Sequence, residues 1–176
     1  GRLSAGYLQK TGLPLESAYP YTGADGSCSA AAPGWQAGAS KIGAWGSVSQ
    51  NLNTIKTALV KYGPLPIAFM VYEDFMHYKT GVYSYTTGKR LGGHAVLLVG
   101  YNDAEKYFSV KNSWDLGWGE QGFFRIAYSE MDNSVNFGLS TIAYRSAKDE
   151  VHVGEAARAG AWSRVSPLFE SASSWK

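Results

Sequence analysis

Gly92-Gly93-His94-Ala95-Val96-Leu97-Leu98-Val99-Gly100-Tyr101-Asn102-Asp103-Ala104-Glu105-Lys106-Tyr107-Phe108-Ser109-Val110-Lys111-Asn112-Ser113-Trp114 is the stretch whose reading decides the fold. Ala95–Tyr101 reads as an apolar strand, with Ala95–Val99 an unbroken, strand-sized apolar run. Asn102–Lys106 reads as a turn, and Tyr107–Asn112 as a second strand with clearer alternation. With the turn centred on Asp103, His94 and Asn112 fall at equal distances on either side. In an antiparallel hairpin of that register they oppose each other on one face. Directly opposed residues have β-carbons about 5 Å apart, so imidazole and carboxamide can share a hydrogen bond. A bulge of one residue would spoil the opposition.

Outward from this hairpin, Ser4–Lys10 reads as the end of a helix closed by Thr11-Gly12. Leu13–Asp25 is rich in turns, and Ala30–Ser40 is irregular around Pro33-Gly34. Asn51–Tyr62 is the clearest helix. Leu52, Ile55, Leu59 and Tyr62 share one face, an Asn at 51 or 53 can cap it, and Gly63-Pro64 ends it. Ile67–Val71 predicts a buried strand, and Phe75–Tyr83 a short connector. Gly122–Ala127 and Leu139–Tyr144 predict further strands. The expected class is α+β, with an antiparallel sheet or partly open barrel. From Ser146 to Lys176 the chain turns to Ser, Ala and charge. That part reads as a tail or linker of the disordered kind, with a short helix around 154–161.

Bulk properties exclude several classes. The 176 residues suit one domain, or one domain plus a tail, and 45% hydrophobic content supports a core. A net charge of +2 without a basic run argues against nucleic acid. No apolar stretch approaches a membrane span. The chain starts at Gly1 without a signal-like segment, which leads us to expect a processed or partial product. Its single cysteine, Cys28, is either a free thiol or the partner of a cysteine elsewhere.

A His–Asn pair suits thiol chemistry. A nearby imidazolium favours thiolate over thiol. A third group that accepts from the far ring nitrogen holds the ring in place, and Asn does so without adding charge. Taken alone, a histidine beside an apolar strand is more often structural, and an Asn before Ser-Trp is more often a turn residue.

The surrounding motifs shift that balance. The His94 and Asn112 segments, with Trp118-Gly119-Glu120-Gln121-Gly122-Phe123, closely resemble those of papain-family cysteine peptidases. So do Glu16-Ser17-Ala18-Tyr19-Pro20-Tyr21 and Gly63-Pro64-Leu65-Pro66-Ile67-Ala68. The resemblance covers residues 1–145. It implies a papain-like fold, mostly its antiparallel barrel-like half with part of the helical half. It makes His94 the base, Asn112 its orienter and Trp114 the shield of their hydrogen bond. Trp118 would border the leaving-group side, and Gly1 would match the last glycine of the family's Cys-Asn-Gly-Gly substrate-binding segment. The main selectivity pocket would comprise Leu3, Ala68, Gly93, Ala95 and Ile142. With an apolar floor at Ile142 it should prefer aliphatic or aromatic side chains over Arg. For Ala68 and Ile142 taken singly, a buried strand position is an equal reading.

The departures are informative. The family's nucleophile motif, Gln and then Cys-Gly-Ser-Cys-Trp, is absent from the 176 residues. Cys28 lacks that context, and the resemblance makes it half of a disulfide to a segment not present here. Asp115 stands where a glycine is usual, and Phe137 where many members have a cysteine. The resemblance implies a peptide or protein substrate, no cofactor, no metal and a secreted parent. It leaves open a partial gene product or a chain that pairs with a separate N-terminal chain carrying the catalytic Cys. On either reading the isolated chain should be inactive. The rivals are a non-enzymatic papain-like binding domain, against which all three of His94, Asn112 and Trp114 speak, and a transglutaminase-like enzyme, which would prefer Asp to Asn112.

Overall fold

The computed structural model describes residues 2–146. The first helix, α1 (Arg2–Lys10), ends where the sequence predicts, at Gly12 with φ +90°. A Cβ there would meet the Ser40 carbonyl at 2.8 Å, so only glycine fits. Irregular backbone with three short 3-10 turns follows.

The second helix, α2 (Leu52–Tyr62), has the expected boundaries. Asn51 Oδ1 accepts the Thr54 N–H at 3.1 Å, which satisfies one of the free donors at the helix start. Gly63 at φ +81° ends the helix. The buried face carries Ile55, Ala58 and Leu59.

Five strands form the main sheet. They are β2 (Leu65–Tyr72), β3 (Val82–Tyr83), β4 (Arg90–Asn102), β5 (Tyr107–Lys111) and β6 (Phe123–Ala127), in the order β2-β4-β5-β6-β3. All neighbours are antiparallel except β3 and β6. Along β2 only one face is buried, with Leu65, Ile67, Phe69 and Val71 inward and Pro66, Ala68 and Met70 half-buried. A second sheet pairs β1 (Ile42–Ser47) with β7 (Ile142–Ser146) antiparallel. The sequence reading passes over β1, since Gly43 and Gly46 break any alternation and β7 supplies its pairing. The architecture is α+β, and the sheets do not close into a barrel.

The core lies between α2 and the inner face of the main sheet. Phe69, Phe108, Phe124 and Phe137 are fully buried there. Phe137 packs on Phe69 and Phe108, with ring centroids 5.9 and 5.4 Å away. Phe75–Tyr83 is not a plain connector. A short helix, α3 (Glu73–Met76), precedes β3 and sends Phe75 into the core.

Strand β7 runs through Ser146, one residue past the expected boundary at 145. The tail beyond it, with its expected helix at 154–161, lies outside the described residues, as does Gly1. Among the described residues no helix is long and apolar enough to cross a membrane.

Candidate active site

The hairpin register differs from the simple arithmetic. Asn102 pairs with Tyr107 across a four-residue turn, and a bulge at Val99 shifts the pairing so that Leu97 faces Lys111. Continued, that register puts Val96 across from Asn112, not His94. The slip is two residues, so face parity survives: a slip of one would turn the side chain away. His94 lies on the diagonal, still within reach. On its other side it pairs with Phe69 of β2.

The hydrogen bond forms by this diagonal route, with His94 Nε2 2.8 Å from Asn112 Oδ1. The tautomer follows from a neighbour. The Ser113 backbone N–H can only donate, and it lies 2.8 Å from the same Asn112 atom. That atom must therefore be the carbonyl oxygen, so His94 Nε2 must carry a proton. Nδ1 is then the nitrogen free to take one, and among the described residues nothing hydrogen-bonds it.

Asn112 is held by backbone as well. Its N–H donates to the Gly122 carbonyl at 2.8 Å, continuing the β5–β6 ladder. Its side chain is 8% exposed, and Nδ2 has no partner among the described residues. An orphaned buried donor costs about 1–3 kcal/mol. The amide is thus held by its oxygen alone.

Aromatic rings wall the pair. Trp114 stacks on the His94 ring at 4.8 Å and 29°, and Phe69 meets it edge-on at 5.9 Å. Trp118 stands at 81° to Trp114, 5.1 Å away, and its Nε1 donates to the Met76 carbonyl. Phe75 sits behind both indoles, at 5.5 Å from Trp114 and 5.0 Å from Trp118. The reading from sequence missed Phe75 and Phe69, whose rings fix those of the site. The buried alternation around Phe69 was a usable signal, whereas α3 is too short to show periodicity.

Four left-handed residues, Asp115, Gly119, Gln121 and Gly122, shape the loop that carries both tryptophans. Asp115, in the glycine position, adopts φ +73°, and its carboxylate accepts the Leu116 N–H. Gly119 adopts φ +58°, where a Cβ would meet the Phe123 carbonyl at 2.6 Å. Beyond it, Glu120 binds Arg125 through a 2.6 Å contact and accepts from Thr80 and the Gly81 N–H. Burial pushes the Glu120 carboxyl up, but these donors outweigh it and hold it below the usual range.

A second carboxylate clamps the approach to β4. Asp74 accepts from Tyr83 OH at 2.9 Å, the Thr86 N–H at 2.9 Å, Thr86 Oγ1 at 3.2 Å and the Thr87 N–H at 3.3 Å. Burial raises its pKa, yet the donors together bring it below the ordinary value. The unfolded chain therefore takes up this proton at higher pH than the folded one. The stabilisation is fully present above the ordinary carboxylate range and is lost as pH falls through the folded value. In urea titrations from about pH 6 down to pH 3, Asp74→Asn should lose less stability than the wild type. Parallel slopes would refute the assignment.

The expected substrate-binding residues are partly assembled. Ala68 and Ala95 are Cα partners, as are Met70 and Gly93, so Ala68, Gly93 and Ala95 share the face of the sheet opposite His94. Ala68 also bridges to Leu139, which brings the segment before Ile142 alongside. Ile142 itself is 2% exposed at the start of β7. Leu3, on the first turn of α1, is 93% exposed and packs on none of them. Cys28 is exposed on a 3-10 turn, with a free thiol.

Comparison with known proteins agrees with this geometry. The family described as papain family cysteine protease matches residues 4–144. "Cathepsin B-like CP3" of Giardia intestinalis is 42% identical over 68% of this chain and 43% of its own length. "Cathepsin B-like protease 1" of Arabidopsis thaliana is 39% identical over 68% of this chain and 33% of its own. The chain thus spans less than half the length of these relatives. Among solved structures, xylellain, a cysteine protease from Xylella fastidiosa, superposes with a TM-score of 0.69 at 25% identity, over 82% of this chain and 60% of that one. Digestive procathepsin L2 from Tenebrio molitor larval midgut gives 0.68 at 31% identity, over 81% and 45%. The hairpin that brings His94 to Asn112 is therefore part of a wider likeness, and the chain belongs to the papain family of cysteine proteases.

Proposed function

We infer that this chain is the C-terminal part of a papain-like cysteine endopeptidase. The observation that carries the reading is the hydrogen bond from His94 Nε2 to Asn112 Oδ1, which leaves Nδ1 as the proton acceptor. In this reading Nδ1 takes the proton of a cysteine thiol, the thiolate attacks the scissile carbonyl, and His94 returns the proton to the leaving amine. Asn112 holds the ring during both transfers. Trp114 keeps water off their hydrogen bond, and Trp118 borders the leaving-group side of the cleft.

The thiol and the oxyanion donor come from a segment outside these 176 residues. Cys28 is not that thiol: it lies exposed in the irregular stretch after α1, and in this reading it pairs with a cysteine of the same outside segment. Ala68, Gly93, Ala95 and Ile142, with Leu3 and Gly1 from the start of the chain, contact the peptide. The substrate is a peptide or protein, and the parent is secreted, which fits an oxidising compartment for a disulfide at Cys28. No step calls for a metal or cofactor.

Fluorogenic dipeptide turnover tests this. The isolated chain should give no hydrolysis sensitive to E-64, and adding the segment with the family's Cys motif should restore it. Turnover by the isolated chain would overturn the reading. Failure of the combined protein would favour a binding domain.

A further inference from the structure

A cavity of about 370 Å³ opens where α1, the end of β1 and the start of β7 meet. Its lining includes Arg2, Ser47, Gln50, Ser140, Thr141 and Ile142. Arg2 is the only charged residue on the wall, and among the described residues it forms no ion pair or hydrogen bond. Some of the other polar groups are already used. Thr141 Oγ1 donates to the Gly138 carbonyl, and Gln50 Nε2 donates to Asn136 Oδ1 and to the carbonyls of Phe137 and Met131. The hydroxyls of Ser47 and Ser140 have no such partners among the described residues. The free groups are thus a guanidinium and two hydroxyls, with the buried Ile142 beside them.

We propose that this cavity takes the carboxylate of an acidic side chain of a bound peptide, glutamate best, and that Arg2 is the specificity-determining residue. A planar guanidinium offers paired N–H donors that match a carboxylate edge to edge. The approach is short and mostly apolar. The Gly138 N–H donates to the Ala68 carbonyl, and Ala68 N–H to Leu139, so the cavity wall begins one residue from the Ala68–Ala95 pair. The methylenes of a glutamate can lie along those small residues and Ile142 while its carboxylate meets Arg2. A lysine or arginine side chain there would meet a like charge. An aliphatic one, expected from the sequence for the pocket with Ile142 as its floor, would leave the guanidinium unanswered, so the proposal replaces that preference and keeps only its exclusion of Arg.

The proposal builds on the peptidase reading, and its test separates the two. Four fluorescein-labelled peptides differing only in Glu, Gln, Leu or Lys at one position are titrated against the chain by fluorescence anisotropy at low salt. The Glu peptide should bind about tenfold tighter than its isosteric Gln counterpart, and the gap should shrink as salt rises. Arg2→Gln should abolish the gap, and Arg2→Glu should reverse the preference toward a Lys peptide. Equal binding of Glu and Gln peptides, or a gap that survives Arg2→Gln, overturns the proposal. Turnover is read separately in the complete peptidase. A Glu preference in binding without turnover supports the cavity and removes the peptidase reading. Turnover indifferent to Glu removes the cavity assignment alone.

Discussion

In the complete peptidase, His94→Ala should lower kcat/KM for a dipeptide substrate by about a thousandfold to ten-thousandfold. The reason lies in one nitrogen. Nε2 is committed to Asn112, so Nδ1 alone can take a proton from a thiol and return it to the leaving amine. Among the described residues the other histidine, His77, is exposed just after α3, whereas the His94 ring is enclosed by Trp114 and Phe69. Asn112→Ala should cost less, about a hundredfold, the lower end for a positioned acid–base group, because it frees the ring to rotate but leaves the base in place. Activity within tenfold of wild type in His94→Ala would sink the assignment, whatever the fate of the Asn112 variant.

The hairpin shows how far sequence patterns reach and where they stop. Alternation correctly marks β4, β5 and their shared face, and the face is what the His94–Asn112 contact depends on. The register is set by a four-residue turn and a bulge at Val99, which no pattern of polarity specifies. Helix α2 was legible at both ends because its signals are local: an Asn side chain that caps and a glycine that stops. The element α3 was not, because nothing local holds it. Its four residues are fixed by the Asp74 carboxylate gathering donors from 83–87 and by Phe75 sinking into the core. Strand β3 is two residues long and exists through its parallel partner β6. For the site, the residues named by their chemistry were visible, and those that support them by shape were not. The substrate-binding set shows the same limit. Ala68 and Ala95 meet because strands pair, while the charge at Arg2 bears on them only through the packing of α1 against β1 and the position of β7.

Phe75→Ala should destabilise the chain by about 3–5 kcal/mol, with a fall in Tm of roughly 6–20 °C. The side chain is fully buried and sits among five rings within about 5.5 Å. Truncation removes the shared edge of Phe69, Tyr83, Trp114, Trp118 and Phe124 and leaves a hole that two indoles line. Those indoles are large and cannot collapse into it without moving, and Trp114 is stacked on His94. The same substitution should therefore reach the active site. Phe75→Leu, which keeps most of the volume, separates the two effects. It should recover most of the stability, since the cavity is largely filled, but a leucine offers no ring edge to orient Trp114. Were the role of Phe75 purely to fill space, Phe75→Leu in the complete peptidase would restore kcat in step with Tm. If Phe75 also sets the indole against the imidazole, Tm should recover while kcat stays several-fold low and the intrinsic tryptophan emission stays shifted. A variant with normal kcat and normal emission would confine Phe75 to packing and would leave the stacking of Trp114 on His94 to the 113–122 loop alone.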